Sequence, residues 1–142
     1  SHPYKITKHL FAKKAMEILC IDIYKYNEEI YFTAIDLYSK FPFCFEIEDQ
    51  TQKSIFDAFN EFMSLYGKPD FLLHDNQFNF IPIKHLASPS NHPQAHAVLE
   101  RFHKELGKMS RIHQCKPSSA VQYLRTQLLS NKKLSLIRTP KN

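Results

Sequence analysis

The sequence predicts an α/β fold in which a mixed sheet, part antiparallel meander and part parallel strand, is flanked by helices. Residues 17–47 hold three strand-like runs joined by turns too short for helical crossovers, which makes them an antiparallel meander. A helical pattern follows, and then a short apolar run, Phe71-Leu72-Leu73-His74, that can return parallel to the first strand. Two further helical patterns complete the chain.

In the first run, Glu17–Tyr24, residues Leu19, Ile21 and Ile23 fall on one face and Cys20, Asp22 and Tyr24 on the other. The polar turn Asn27-Glu28-Glu29 leads into Ile30–Asp36, and Phe41–Ile47 is the third β-branched and aromatic run. Thr51 or Asp49 can cap a helix whose Ile55, Ala58, Phe59, Phe62 and Tyr66 keep helical spacing, with Gly67 and Pro69 to end it. The fourth run stops at Asp75. Residues 76–93 read as irregular apart from a short strand around Ile83–Ala87. Pro93 opens a helix with the stripe Ala95, Val98, Leu99, Phe102, Leu106 and Met109. A last helix runs from Pro117 to about Ser130 with Val121, Leu124 and Leu128 inward.

With 142 residues and 43% hydrophobic content, the chain suffices for one core and is short for two domains, so 1–142 reads as a single domain. Its apolar stretches are interrupted by charge and its basic N-terminus has no signal-peptide core, which predicts a soluble intracellular protein with no membrane partner. Cys20, Cys44 and Cys115 form no Cys-x-x-Cys pair and suit buried thiols better than disulfides. Only two glycines are present, so little positive-φ backbone is expected. Residues 1–100 carry 9 Lys and Arg against 13 Asp and Glu, whereas 101–142 carry 10 against 1. The basic set Arg101, Lys104, Lys108, Arg111, Lys116, Arg125, Lys132 and Lys133 can meet nucleic-acid phosphates or an acidic protein, or form a solvated face.

Asp22 interrupts an apolar strand, Asp75 ends another, and Glu100 lies off the apolar stripe of its helix. If the first and fourth strands are neighbours, Asp22 and Asp75 meet at one sheet end. Gathered carboxylates repel unless a hard cation such as Mg²⁺ or Mn²⁺ joins them. Two such ions about 3.5–4 Å apart can activate an attacking oxygen and stabilise a leaving one on a phosphodiester. The alternatives are a hydrogen-bonded Asp22 and a solvated Glu100. His92, His96 and His103 cluster near one helix start without the spacing of a zinc module, and His74 and His85 read as strand-end residues.

Certain segments resemble the catalytic core of retroviral and gypsy-like retrotransposon integrases. Ile21-Asp22-Ile23-Tyr24 and Tyr31-Phe32-Thr33-Ala34-Ile35-Asp36-Leu37-Tyr38-Ser39-Lys40-Phe41 resemble the family's first two strands. Tyr66-Gly67-Lys68-Pro69 with Asp75-Asn76 resembles the approach to its second acid, and Asn91-His92-Pro93-Gln94 with Val98-Leu99-Glu100-Arg101-Phe102-His103 the segment carrying its third. The likeness spans about residues 2–115, with 116–142 a basic helical extension. It implies an RNase-H-like fold whose acids, here Asp22, Asp75 and Glu100, bind Mg²⁺ or Mn²⁺ for DNA strand transfer. It also implies a homodimer.

The sequence departs from that pattern beside the second acid. Gln77 replaces the family's glycine, Ala95-His96-Ala97 lacks another, and only 24 residues separate Asp75 from Glu100, fewer than the family spacing. The missing length falls where a helix between strands four and five belongs. Residues 76–82 are then shorter than the roughly dozen residues of a parallel crossover. The fifth strand is therefore expected to be lost, reversed or supplied by a partner chain through swapping of residues 76–93. Since an active site tolerates about 1 Å of misplacement at a cost near a hundredfold, the expectation is a domesticated, retroelement-derived domain, catalytically impaired and without cofactor. Such a domain would act in the nucleus by binding chromatin proteins or DNA. An active Mg²⁺-dependent strand transferase is the alternative.

Overall fold

In the computed structural model, residues 10–86 and 88–138 are described, with the side chains of Ser90 and 133–138 excepted. The elements are β1 (Ile18–Tyr26), β2 (Glu29–Asp36), β3 (Pro42–Ile47), α1 (Gln52–Tyr66), β4 (Phe71–Leu73), β5 (Lys84–His85), α2 (Pro93–His113) and α3 (Pro117–Arg138), with 3-10 turns at Asn76–Phe78 and Pro89–Asn91. The sheet order is β3-β2-β1-β4-β5. The pairs β1–β2 and β2–β3 are antiparallel, β1–β4 and β4–β5 parallel.

Both sheet faces are covered, which is why the strands are apolar on both sides. Leu19, Ile21, Phe32, Ala34 and Phe43 pack on Ile55, Phe59 and Phe62 of α1. Ile18, Cys20, Tyr31 and Ile35 pack on Leu99, Phe102 and Leu106 of α2 and Val121 of α3. Aromatic edge contacts fix α1, with Phe43 and Phe62 ring centres 4.7 Å apart and Phe32 and Phe59 at 6.3 Å. Thr51 is the cap of α1, its Oγ1 accepting from Ser54 N at 3.2 Å, while Asp49 accepts from Thr51. Gly67 closes the helix at φ 95°, where a side chain would be strained. Cys20 and Cys44 are buried free thiols, both pushed up to about 12 by burial. Among the described residues, no helix is long and apolar enough to cross a membrane.

Three expectations change. Few glycines did not prevent left-handed turns, since Met16, Asn27, Glu28, Lys40 and Gln114 all have positive φ. Asn27 and Glu28 together make the tight β1–β2 turn, a geometry that matches strand twist. The last helix continues to Arg138 because no proline or glycine occurs after Pro117 until Pro140.

The third change concerns the fifth strand, which is neither lost, reversed nor supplied by another chain. Phe71 pairs with Lys84 and Leu72 with His85, in parallel and within one chain, and Leu86 N donates to Leu72 O at 2.8 Å. A full crossover carries the chain back along a whole strand; a strand of two residues requires a return of only about 7 Å. The 3-10 turn achieves it, anchored by Phe78, Ile81 and Ile83, all buried in the core beneath α1's face of the sheet. No α-helix intervenes between β4 and β5, as the spacing implied.

Because three apolar side chains replace a helix here, removing one is costly. Phe78→Ala is expected to lower unfolding free energy by about 3–5 kcal/mol in urea denaturation, whereas Asn79→Ala, exposed beside it, changes it little.

Candidate functional site

The site begins with the β1–β4 register. Cys20 lies opposite Leu73 in the parallel pair, and two further residues along each chain bring Asp22 level with Asp75. Asp22 is half-buried and Asp75 exposed. The Asp22 carboxylate accepts from Ile23 N at 2.8 Å, and Ser88 Oγ donates to Asp75 at 3.2 Å. Burial first, then the neighbouring Asp75 charge, raise the Asp22 pKa from 3.8 to about 6, against the lowering effect of the Ile23 N–H and His96. Two of the three predicted acids therefore converge.

The third is engaged by a histidine. The Glu100 carboxylate meets His96 Nε2 at 3.4 Å on the exposed face of α2. Among the described residues, no three His, Cys, Asp or Glu side chains are placed to hold a metal ion. As they stand, Asp22, Asp75 and Glu100 do not gather into such a group, and among the described residues His92, His96 and His103 form none. Gln77, expected to strain its turn, occupies the 3-10 segment without positive φ. Ala95 takes a core position against α2's own strand-facing stripe.

Two histidine contacts were not legible in the sequence. Thr33, opposite Asp22 on β2, donates its hydroxyl to Asp22 O at 2.9 Å and faces His103 Nε2 at 2.9 Å. A carbonyl can only accept, so the hydroxyl's second contact is as acceptor, and His103 is held neutral with its proton on Nε2. Burial agrees, lowering its pKa from 6.5 to about 4. The signal was available in principle, since His103 adjoins Phe102 and Leu106 of the apolar stripe. The second contact is a chain from Asp75 O through His74 and His85 to Ile81 O, which ties the exit of β4 to β5.

The basic residues divide. Arg101, Lys104, Lys108 and Arg111 are exposed along one flank of α2, and among the described residues none forms an ion pair. Lys116 instead bridges Glu29 and Glu46 at 3.1 and 3.2 Å. Arg125 donates to Pro42 O at 2.9 Å and covers the rings of Phe41 and Phe43, fastening α3 to β3. Lys132 is exposed, and the Lys133 side chain lies outside the described residues.

Several solved structures superpose on this fold. The HTLV-2 integrase catalytic core, in complex with magnesium in a trimeric form, superposes with a TM-score of 0.61 at 18% identity, over 81% of this chain and 86% of that one. The fold is that of an integrase catalytic core. The BIV integrase core gives 0.63 at 18% identity over 75% of this chain and 79% of that one. A dimeric form of the HTLV-2 core gives 0.58 at 19% identity over 82% and 86%. No protein-family model and no curated protein sequence matches the chain. At such identity the likeness to integrase cores is one of fold, and function has to be argued from the residues.

Asp22 and His103 should give opposite pH signatures. His103, lowered to about 4 from 6.5, binds fewer protons folded than unfolded, so its contribution to stability is lost as pH falls from 6.5 toward 4. Asp22, raised to about 6 from 3.8, binds more protons folded, so its contribution is lost as pH rises from 3.8 through 6. In urea titrations across this window, His103→Gln is expected to remove the acid-side loss and Asp22→Asn to steepen it. An unchanged slope in both variants would count against this placement.

Proposed function

We propose that this is a retroelement-derived, domesticated integrase-like domain that acts in the nucleus by binding nucleic acid, with its carboxylate site catalytically impaired. The carrying observation is the flank of α2, where Arg101, Lys104, Lys108 and Arg111 stand exposed without an acidic partner among the described residues. Four cations on one rigid helix make a sequence-independent phosphate track. The Asp22–Asp75 pair would repel phosphate unless neutralised, and Glu100 faces His96 instead of completing a cation site. The integrase-core fold supports the descent, and the dimeric and trimeric forms of the HTLV-2 core support self-association of this chain.

The level placement of Asp22 and Asp75 favours a second reading, an active metal-dependent strand transferase. In that reading Glu100 leaves His96, and Asp22, Asp75 and Glu100 hold Mg²⁺ or Mn²⁺, which would supply Lewis-acid activation of a phosphodiester.

Two measurements separate these readings. Binding to a short DNA duplex should weaken with salt with a log–log slope of about −3 to −4, and Lys104→Glu with Lys108→Glu should flatten that slope. Incubation with Mn²⁺ and long-terminal-repeat end DNA should give no strand transfer, and Mg²⁺ should leave the melting temperature unchanged. Strand transfer that disappears in Asp22→Asn would establish the second reading, and salt-independent binding would remove the first.

A further inference from the structure

Val98 on α2 and Leu124 and Leu128 on α3 belong by spacing to the inward stripes, yet the fold leaves each of them half-exposed. They are uncovered because they line an open groove of about 480 Å³, floored by Ile35 and Phe102. A second hollow of about 280 Å³ shares Val98 and Lys40 with the first, so the two form one trough. At its far end stand Phe11 and Tyr38, 68% and 54% exposed.

We infer that this trough docks an acidic amphipathic helix of a partner protein, its apolar anchors at i, i+4 and i+7 seated between α2 and α3. The dimensions suit several apolar side chains laid along a helical groove. Charge decides among occupants. Lys40 and Arg101 stand at the rim against the single acid Glu105. Lys40 Nζ already donates to Leu37 O at 2.6 Å, which holds the ammonium in place and leaves two N–H donors for a carboxylate. Among the residues that line the groove, the cations outnumber the acids two to one. The same surface of a second copy would meet this one with like charge. Nucleic acid could meet Lys40 and Arg101 with its phosphates but would leave the apolar floor of Ile35 and Phe102 unmatched. The inference goes beyond nucleic-acid binding by the α2 flank and shares only Arg101 with it, so either can fail alone.

The test is a display selection on the full 142-residue chain. The library is made of helical peptides with Leu fixed at i, i+4 and i+7 and Glu, Gln or Lys randomised at the flanking positions. Selection is expected to enrich Glu at the flanks. The enriched peptide, labelled with fluorescein, should bind in anisotropy titrations and lose at least about tenfold in affinity to Leu128→Glu and to Lys40→Glu. Circular dichroism melts confirm folding of both variants, and Lys40→Glu carries the test if Leu128→Glu does not fold. Recovery of no binders, recovery of Lys-rich or uncharged peptides, or affinity unchanged by the folded variants overturns the inference. So does a wild-type dimer that Lys40→Glu or Leu128→Glu converts to monomer, since the occupant would then be a second copy. Displacement of the peptide by duplex DNA at matched salt would assign the trough to nucleic acid.

Discussion

Helix α2 packs over β1, and Gly107 leaves the room that Tyr24 fills. A Cβ there would meet Tyr24 Oη at 2.7 Å, so a side chain at 107 would push the hydroxyl end of that tyrosine aside. Tyr24 in turn stacks with His103 at 4.8 Å between ring centres, and His103 bonds Thr33. This contact brings α2 down on β1 near Asp22 and brings His96 close enough to favour the Asp22 charge. Beside it the flank carrying Arg101, Lys104, Lys108 and Arg111 is exposed.

Much of the fold could be read from periodicity. Strands β1 to β3 follow alternation and β-branched composition, and α1 follows its apolar spacing between Thr51 and Gly67. The convergence of Asp22 and Asp75 followed once β1 and β4 were taken as parallel neighbours. What escaped the sequence depends on contacts far apart in the chain. Lys116 to Glu46 spans 70 positions and Arg125 to Pro42 spans 83, so neither charge could be recognised as structural by its neighbours. The return of β5 escaped for a different reason. The length rule for crossovers presumes a strand of ordinary extent, and two residues backed by buried Phe78, Ile81 and Ile83 do not require it.

The two halves of the proposed function meet on α2. Its Glu100 side carries an ion pair with His96, and its Arg101 side carries uncompensated positive charge. An isolated exposed pair such as His96 with Glu100 is worth little in stability, and a strong competitor for either group can displace it. The helix is thus rigid in backbone while the charges along it are free to exchange partners. Integrase-like architecture fixes where these groups stand. It does not fix what they do.

The two-residue pairing of β5 has a dynamic consequence. Residues 74–86 are joined to the sheet by a short ladder at its edge, with no α-helix among them. Their hold is the His74–His85 contact and the burial of Phe78, Ile81 and Ile83 in the core that β1, β2 and α1 share. Such a segment is a small unit whose detachment would expose Phe78, Ile81 and Ile83, at the cost of their burial. Asp75 belongs to that unit and Asp22 does not. Each detachment separates the two carboxylates, relieving their repulsion, so electrostatics favours the open edge while apolar burial favours the closed one.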